Sequence, residues 1–257
     1  MTRRLPGVLA GLLLVGLLAG CGAADAPGGG ESRVTGSIRV FAAASLTGSF
    51  TRLARDFESE HSGTDVQLSF GASSDLATQI DNGAPADVFA SASPVNMRQV
   101  VHAGQAAHPV DFARNTMEVA VPRANPGHVQ GLADLARDGV KVALCQPQVP
   151  CGAVARQVLA TAGLTVHPVT EEVDVTSVLT KVTIGEVDAG IVYMTDVRAA
   201  GNEVRGIRIP ESVNATTSYP IATLRASRNR ATAAAFVALV KSARGQRVLA
   251  SAGFEKP

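Results

Sequence analysis

The sequence predicts an α/β protein. From Ser37 onward, short apolar runs alternate with segments whose apolar residues recur every three or four positions, which is the signature of strands and amphipathic helices in turn. The joints between them are built from small or turn-forming residues. The chain has 257 residues, 46% hydrophobic and 18% charged, enough for one large domain or two modest lobes with a sizeable core.

Ile38 to Phe41 is a short apolar strand, followed by Leu46, Phe50, Leu53 and Phe57 on one helical stripe. Val66 to Phe70 is a second strand. Gly71-Ala72-Ser73-Ser74-Asp75 then opens a short helix carrying Leu76 and Ile80, closed by Asn82-Gly83. Ala86 to Ala90 is a third strand, and Val95 to Val101 a further helix. The second half has the same grammar. A strand over Val140 to Cys145 precedes a helix over Cys151 to Ala162, stopped by Gly163. Val175, Val178, Leu179 and Val182 form another stripe, and Ala189 to Tyr193 a buried-type strand. A last strand is expected after Ser218-Tyr219-Pro220, then one or two Ala-rich helices from Ala231 to Ala252.

Charge and composition exclude some classes of partner. Net charge is +1 with no long run of either sign, which argues against a nucleic-acid binder. Trp is absent and aromatics are 4%, so a stacking platform for bases or sugars is not supported.

Arg3 and Arg4 precede a 13-residue apolar run, Val8 to Gly20, short of the about 20 residues a membrane-spanning helix needs. Its proportions are those of a signal peptide over residues 1–20. The run ends Leu18-Ala19-Gly20-Cys21, which resembles the lipobox of bacterial lipoproteins. That resemblance implies cleavage before Cys21 and lipidation of its thiol. Residues 21–36, rich in Gly and small polar residues, are expected to be a flexible tether. Export places the other two cysteines, Cys145 and Cys151, in a disulfide-permissive compartment. Five residues separate them, a spacing that leaves open both a disulfide and two buried free thiols.

Strong enzyme signatures are missing. There is no Walker-type phosphate loop, no HExxH, no GxSxG and no CxxC. His61, His102, His108, His128 and His167 form no ligand pair at helical spacing. Cys151 with a distant His could serve as nucleophile and base. A packed or bridged cysteine is the plainer reading, and the chain is expected to bind a solute without transforming it.

Four junctions carry the chemistry. Ala43-Ala44-Ser45, Gly71-Ala72-Ser73-Ser74, Val149-Pro150-Cys151-Gly152 and Glu172-Val173-Asp174-Val175-Thr176 each lead into a helix. A helix start exposes unpaired N–H groups at the positive end of its dipole, and small residues let an anion reach the backbone. Ordinary N-capping explains any one junction alone. Four in one α/β chain point to an anion, although composition does not show that they converge.

VFAAASLT (40–47), FGASSDLATQIDNGAPADVFASA (70–92), VALCQPQVPCG (142–152) and DAGIVYMTD (188–196) resemble the motifs of the molybdate-binding proteins of ABC importers. The resemblance runs in order from Ser37 to Phe254. It implies the type II periplasmic-binding-protein fold, two α/β lobes hinged about a central cleft, with lobe 1 over 37–117, lobe 2 over 118–218 and a return to lobe 1 over 219–257. By position, it implies ligand donors on Ser45, Ser73, Cys151, Val175 and Tyr193: hydroxyl and backbone donors at the serines, backbone N–H at Cys151 and Val175, and a phenolic O–H at Tyr193. The sequence departs from the family at Cys151, where a small residue such as Ala is common, and at Asp75, where Thr or another uncharged residue is usual. The first change leaves the main-chain donor in place. Asp75 is expected to face solvent as a first-turn carboxylate favoured by the helix dipole.

Donors without an acceptor or a full charge suit a deprotonated tetrahedral dianion, since charge-assisted hydrogen bonds are strong. A protonated oxyanion such as hydrogen phosphate would meet no acceptor for its proton, at a cost of about 1–3 kcal/mol. The resemblance therefore implies a lipid-anchored receptor on the outer face of the cytoplasmic membrane. It would be a monomer that captures molybdate or tungstate for an ABC permease and its cytoplasmic ATPase, with no cofactor and no directly coordinated metal. A receptor for sulfate or another tetrahedral oxyanion is the alternative within this class, and a Cys151-dependent lipoprotein hydrolase the alternative outside it.

Overall fold

The computed structural model describes residues 33–257. The signal peptide, Cys21 and the tether as far as Ser32 lie outside the described residues. Strands order as β2 (Thr64–Gly71), β1 (Gly36–Ala43), β3 (Val88–Ala90), β9 (Thr216–Thr223), β4 (Val110–Pro122), β7 (Ala189–Tyr193), β5 (Val142–Cys145) and β6 (Thr170–Glu172), with β8 (Val204–Arg208) pairing on β4.

In the first lobe β1 (Gly36–Ala43) lies between β2 (Thr64–Gly71) and β3 (Val88–Ala90), parallel to both. Parallel strands need crossovers. α1 (Thr47–Glu60) supplies the first, and α2 (Ser73–Asp81) the second. The predicted stripe is buried: Phe50, Leu53 and Phe57 are fully covered, and Phe50 meets Phe112 and Phe236 at ring-centroid separations of 5.8 and 6.0 Å. The other face is covered by α2 and α3 (Pro94–His102), where Leu76, Ile80, Met97 and Val100 pack on Phe41 and Phe89.

β4 (Val110–Pro122) carries the chain across. Residues 110–116 pair with β9 (Thr216–Thr223), whereas 117–120 pair with β7 (Ala189–Tyr193) and 118–122 with β8 (Val204–Arg208), all antiparallel. Beyond it, β5 (Val142–Cys145) lies parallel to β6 (Thr170–Glu172) and β7. The helices α4 (Pro150–Thr161), α5 (Val175–Thr183) and α6 (Met194–Ala200) accompany them. β9 returns the chain to β3, and α7 (Arg230–Lys241) and α8 (Ala243–Ala252) complete the first lobe. Two helices form in the Ala-rich segment because Ser242 caps α8, its hydroxyl accepting the Gly245 N–H at 3.1 Å.

Three features differ from expectation. Gly36, placed at the end of the tether, already pairs with Thr64, and the Thr35 N–H donates to the Thr232 hydroxyl. The strands β4, β6 and β8 and the helix α6 were not anticipated as elements. The last strand begins at Thr216, so Ser218, Tyr219 and Pro220 lie within it. Pro220, which has no N–H for a ladder, sits opposite Asp111 where the β4 register shifts between Asp111 and Ala113. A bulge is one of the few places a sheet tolerates proline.

Candidate functional site

The C-terminal ends of β1, β2 and β7 and the starts of α4 and α5 surround a small cavity of ≈ 20 Å³. Ser45, Ser73, Cys151, Val175 and Tyr193 all line it, so the four junctions converge. Much of the remaining wall is blank: Ala43, Ala44, Ala72, Ala92 and Gly71.

Ser45 lies in a short 3₁₀ turn, Ala44–Leu46, at the end of β1. The alanines before it bring that turn to the cavity with no side chain in the way. Ser73 is the first residue of α2 and fully buried, and its Oγ accepts the Ala92 N–H at 2.9 Å. A hydroxyl that accepts one bond still has its own hydrogen to give. Asp75, in the same first turn, is exposed as expected.

In the second lobe α4 begins with Pro150, which has no N–H, so Cys151 supplies the first backbone donor of that helix. No side chain caps this start. Gly152 follows because a Cβ there would lie 1.9 Å from the Gln146 carbonyl oxygen, and its absence lets the helix start fold back on the strand end. Cys151 is joined by a disulfide to Cys145. α5 begins at Val175 and is capped by Asp174. The Asp174 carboxylate lines the cavity, but its Oδ1 accepts both the Ser177 N–H and the Thr176 hydroxyl at 2.8 Å. The Val175 N–H is left without an acceptor inside the helix.

Tyr193 ends β7 at 1% exposure, and its hydroxyl has no hydrogen-bond partner of good geometry among the described residues, the Tyr219 hydroxyl being its nearest neighbour of that kind. A buried hydroxyl left so is costly in a native protein and calls for an explanation. Burial raises its pKa well above the ordinary tyrosine value, reinforced by Tyr219 and Asp196 nearby, so it stays a donor.

Behind this wall lie residues that the sequence did not single out. Tyr219, fully buried on β9, meets Ser45 Oγ through its hydroxyl at 2.9 Å. Asn115, fully buried on β4, donates from Nδ2 to Thr195 Oγ1 at 2.8 Å and to the Tyr219 hydroxyl at 3.4 Å. Asp196 accepts the Tyr193 N–H at 2.9 Å. Burial lifts its carboxyl to about 7, opposed by that N–H and helped by the Asp174 carboxylate. A weak signal existed: Tyr219 is the second of only two tyrosines, and Asp196 closes the DAGIVYMTD motif.

Among the described residues, no group of three His, Cys, Asp or Glu side chains could hold a metal ion, and no helix is long and apolar enough to cross a membrane.

Comparison with known proteins agrees with this architecture. Residues 38–255 match the model of the family described as bacterial extracellular solute-binding protein. The chain is 42% identical over 255 residues to the molybdate-binding protein ModA of Mycobacterium tuberculosis H37Rv, covering 98% of this chain and 97% of that one. It is 32% identical over 253 residues to the molybdate-binding protein ModA of Escherichia coli K12, covering 93% and 96%. The periplasmic molybdate-binding protein of Azotobacter vinelandii shares the two-lobed fold with a TM-score of 0.76 at 23% identity, covering 86% of this chain and 99% of that one. A cavity walled by helix starts, between halves joined through β4 and β9, is thus found in a chain that belongs to the bacterial extracellular solute-binding proteins.

Proposed function

We propose that the chain is the molybdate receptor of an ABC importer, taking tungstate as well and passing its ligand to a permease driven by a cytoplasmic ATPase. The observation that carries this reading is the buried hydroxyl of Tyr193, without a hydrogen-bond partner of good geometry, on a residue that lines the same cavity as Ser45, Ser73 and the starts of α4 and α5. A fully deprotonated tetrahedral oxyanion accepts from all of them and asks for no acceptor in return. Relatives at 42% and 32% identity that bear the name molybdate-binding protein support molybdate as that anion.

In this reading Ser45, Ser73, Cys151, Val175 and Tyr193 are the ligand donors, and no cofactor takes part. The lobes, 37–117 with 219–257 and 118–218, close on the ion. The protein acts as a monomer tethered through lipidated Cys21 outside the cytoplasmic membrane. It is a binder and not an enzyme: the disulfide leaves Cys151 no free thiolate to act as a nucleophile.

Calorimetric titration of the full chain with molybdate, tungstate, sulfate and phosphate tests the reading. Tight saturation by molybdate and tungstate with weak or no response to phosphate is expected. Tightest binding to sulfate would make the chain a sulfate receptor instead. Acyl groups on Cys21 in mass spectra of the native N-terminus would support the anchor, and cleavage elsewhere would exclude it.

A further inference from the structure

The hydrogen bonds behind Ser45 have a direction. Asn115 Oδ1 accepts the Thr116 N–H at 3.0 Å, which turns Nδ2 toward Thr195 and Tyr219. An amide nitrogen only donates. The Tyr219 oxygen therefore accepts from Asn115, and its single hydrogen is free to go to Ser45 Oγ, 2.9 Å away, in a pair where either hydroxyl can donate. When Tyr219 is the donor, Ser45 Oγ keeps its own hydrogen for the cavity. The chain starts at a main-chain N–H on β4, which cannot reverse.

We propose that Tyr219, oriented by Asn115, is a positioning and selectivity residue that locks the Ser45 hydroxyl as a donor toward the ligand and denies a protonated oxyanion an acceptor there. This deepens the oxyanion reading above and rests on it. Burial of Tyr219 raises its pKa far from neutrality, which keeps its hydroxyl hydrogen in place throughout the physiological range. The bonds Tyr219 makes run between distant parts of the chain, from the end of β1 through β9 to β4, so the donor direction is set by the strands that also join the two lobes.

The test is a double-mutant cycle on the full chain with Tyr219→Phe, Ser45→Ala and the pair, read by calorimetry with molybdate and with phosphate. Tyr219→Phe alone is expected to weaken molybdate binding about tenfold, the size of one charge-assisted bond lost to a free rotor. In the Ser45→Ala background the same change is expected to alter affinity by less than about twofold, since the group it orients is gone. Phosphate affinity should not fall in parallel, so the molybdate-to-phosphate ratio narrows. Asn115→Ala, which leaves Tyr219 in place without its donor, should show a smaller loss that also vanishes with Ser45→Ala. Equal losses in both backgrounds with an unchanged ratio would overturn the proposal and leave Tyr219 a packing residue. Wild-type chain that binds neither molybdate nor tungstate would instead overturn the proposed function, and this inference with it.

Discussion

Cys145, the last residue of β5, is covalently tied to Cys151 in the first turn of α4, with 5.8 Å between their Cα atoms. The bridge closes a short loop whose far end carries a proposed ligand donor. Closing a loop this size removes chain entropy from the unfolded state worth about 2 kcal/mol. Cys145→Ala, Cys151→Ala and reduction of the wild type should each lower stability by about that amount. Any loss of molybdate affinity should also be the same in all three, because the Cys151 N–H survives every one of them. If Cys151→Ala alone abolished binding, the sulfur and not the main-chain N–H would be the contact. Chemical denaturation and calorimetry on the three proteins check this.

Removing the Tyr193 hydroxyl should move stability and binding in opposite directions. Without ligand that group is buried and lacks a partner of good geometry, so Tyr193→Phe should leave the empty protein as stable as before or more so, by up to about 1–3 kcal/mol. With ligand the same change deletes a bond to a buried dianion and should weaken binding by about 1.5–3 kcal/mol. Ser73→Ala is the contrast. It also strands the Ala92 N–H, so binding and stability should fall together. Thermal unfolding with and without molybdate separates the two cases.

The helices were legible because each must bury an apolar stripe, and Phe50, Leu53 and Phe57 show theirs plainly. The helix starts were legible for another reason. Ala43, Ala44, Gly71 and Ala72 bring little side chain to the cavity wall, so their use at junctions signals close approach to the backbone. β4 was legible only as a crossing. It changes partners at Met117 and is buried without alternation at Val119, Ala120 and Val121, so it has no single face to read. The network behind the site left no local trace. Tyr219 meets Ser45 across 174 positions and Asn115 across 104, and contacts at such separations leave no periodic signal.

Asp196 should make stability depend on pH. Its folded carboxyl titrates at about 7 against an ordinary 3.8, so the folded state holds this proton more tightly than the unfolded chain does. The stability it contributes is fully present below pH 3.8 and lost as pH rises through about 7. Between those limits the slope approaches about 1.4 kcal/mol per pH unit. Asp196→Asn keeps an oxygen to accept the Tyr193 N–H and removes the titration. Wild type should therefore lose stability relative to this variant as pH is raised, while the histidines, common to both proteins, cancel. Parallel stability profiles would show that the carboxyl is not held protonated.

The last prediction concerns closure. Ala44 and Ala72 of the first lobe sit in the same apolar cluster as Cys151, Val175 and Tyr193 of the second, so at the cavity the first lobe contributes small groups to the contact. Such a contact buries little area, and hydrophobic stabilisation scales with area. A ligand held by donors from both lobes would add to the contacts that hold them together. A ligand shifts an equilibrium by its difference in affinity for the two states, and here the open state can offer it only half of the donors. Spin labels on Gln79→Cys in α2 and Gln157→Cys in α4, both exposed, report the lobe separation. Molybdate should shorten and narrow that distance distribution, and at about 100 times Kd it should raise stability by about 2.7 kcal/mol. Ser45→Ala or Tyr193→Phe, each removing a donor from one lobe, should require more ligand for the same shift. A distance unchanged by saturating molybdate, in a protein whose unfolding midpoint nonetheless rises, would mean that the ion enters a cleft already closed.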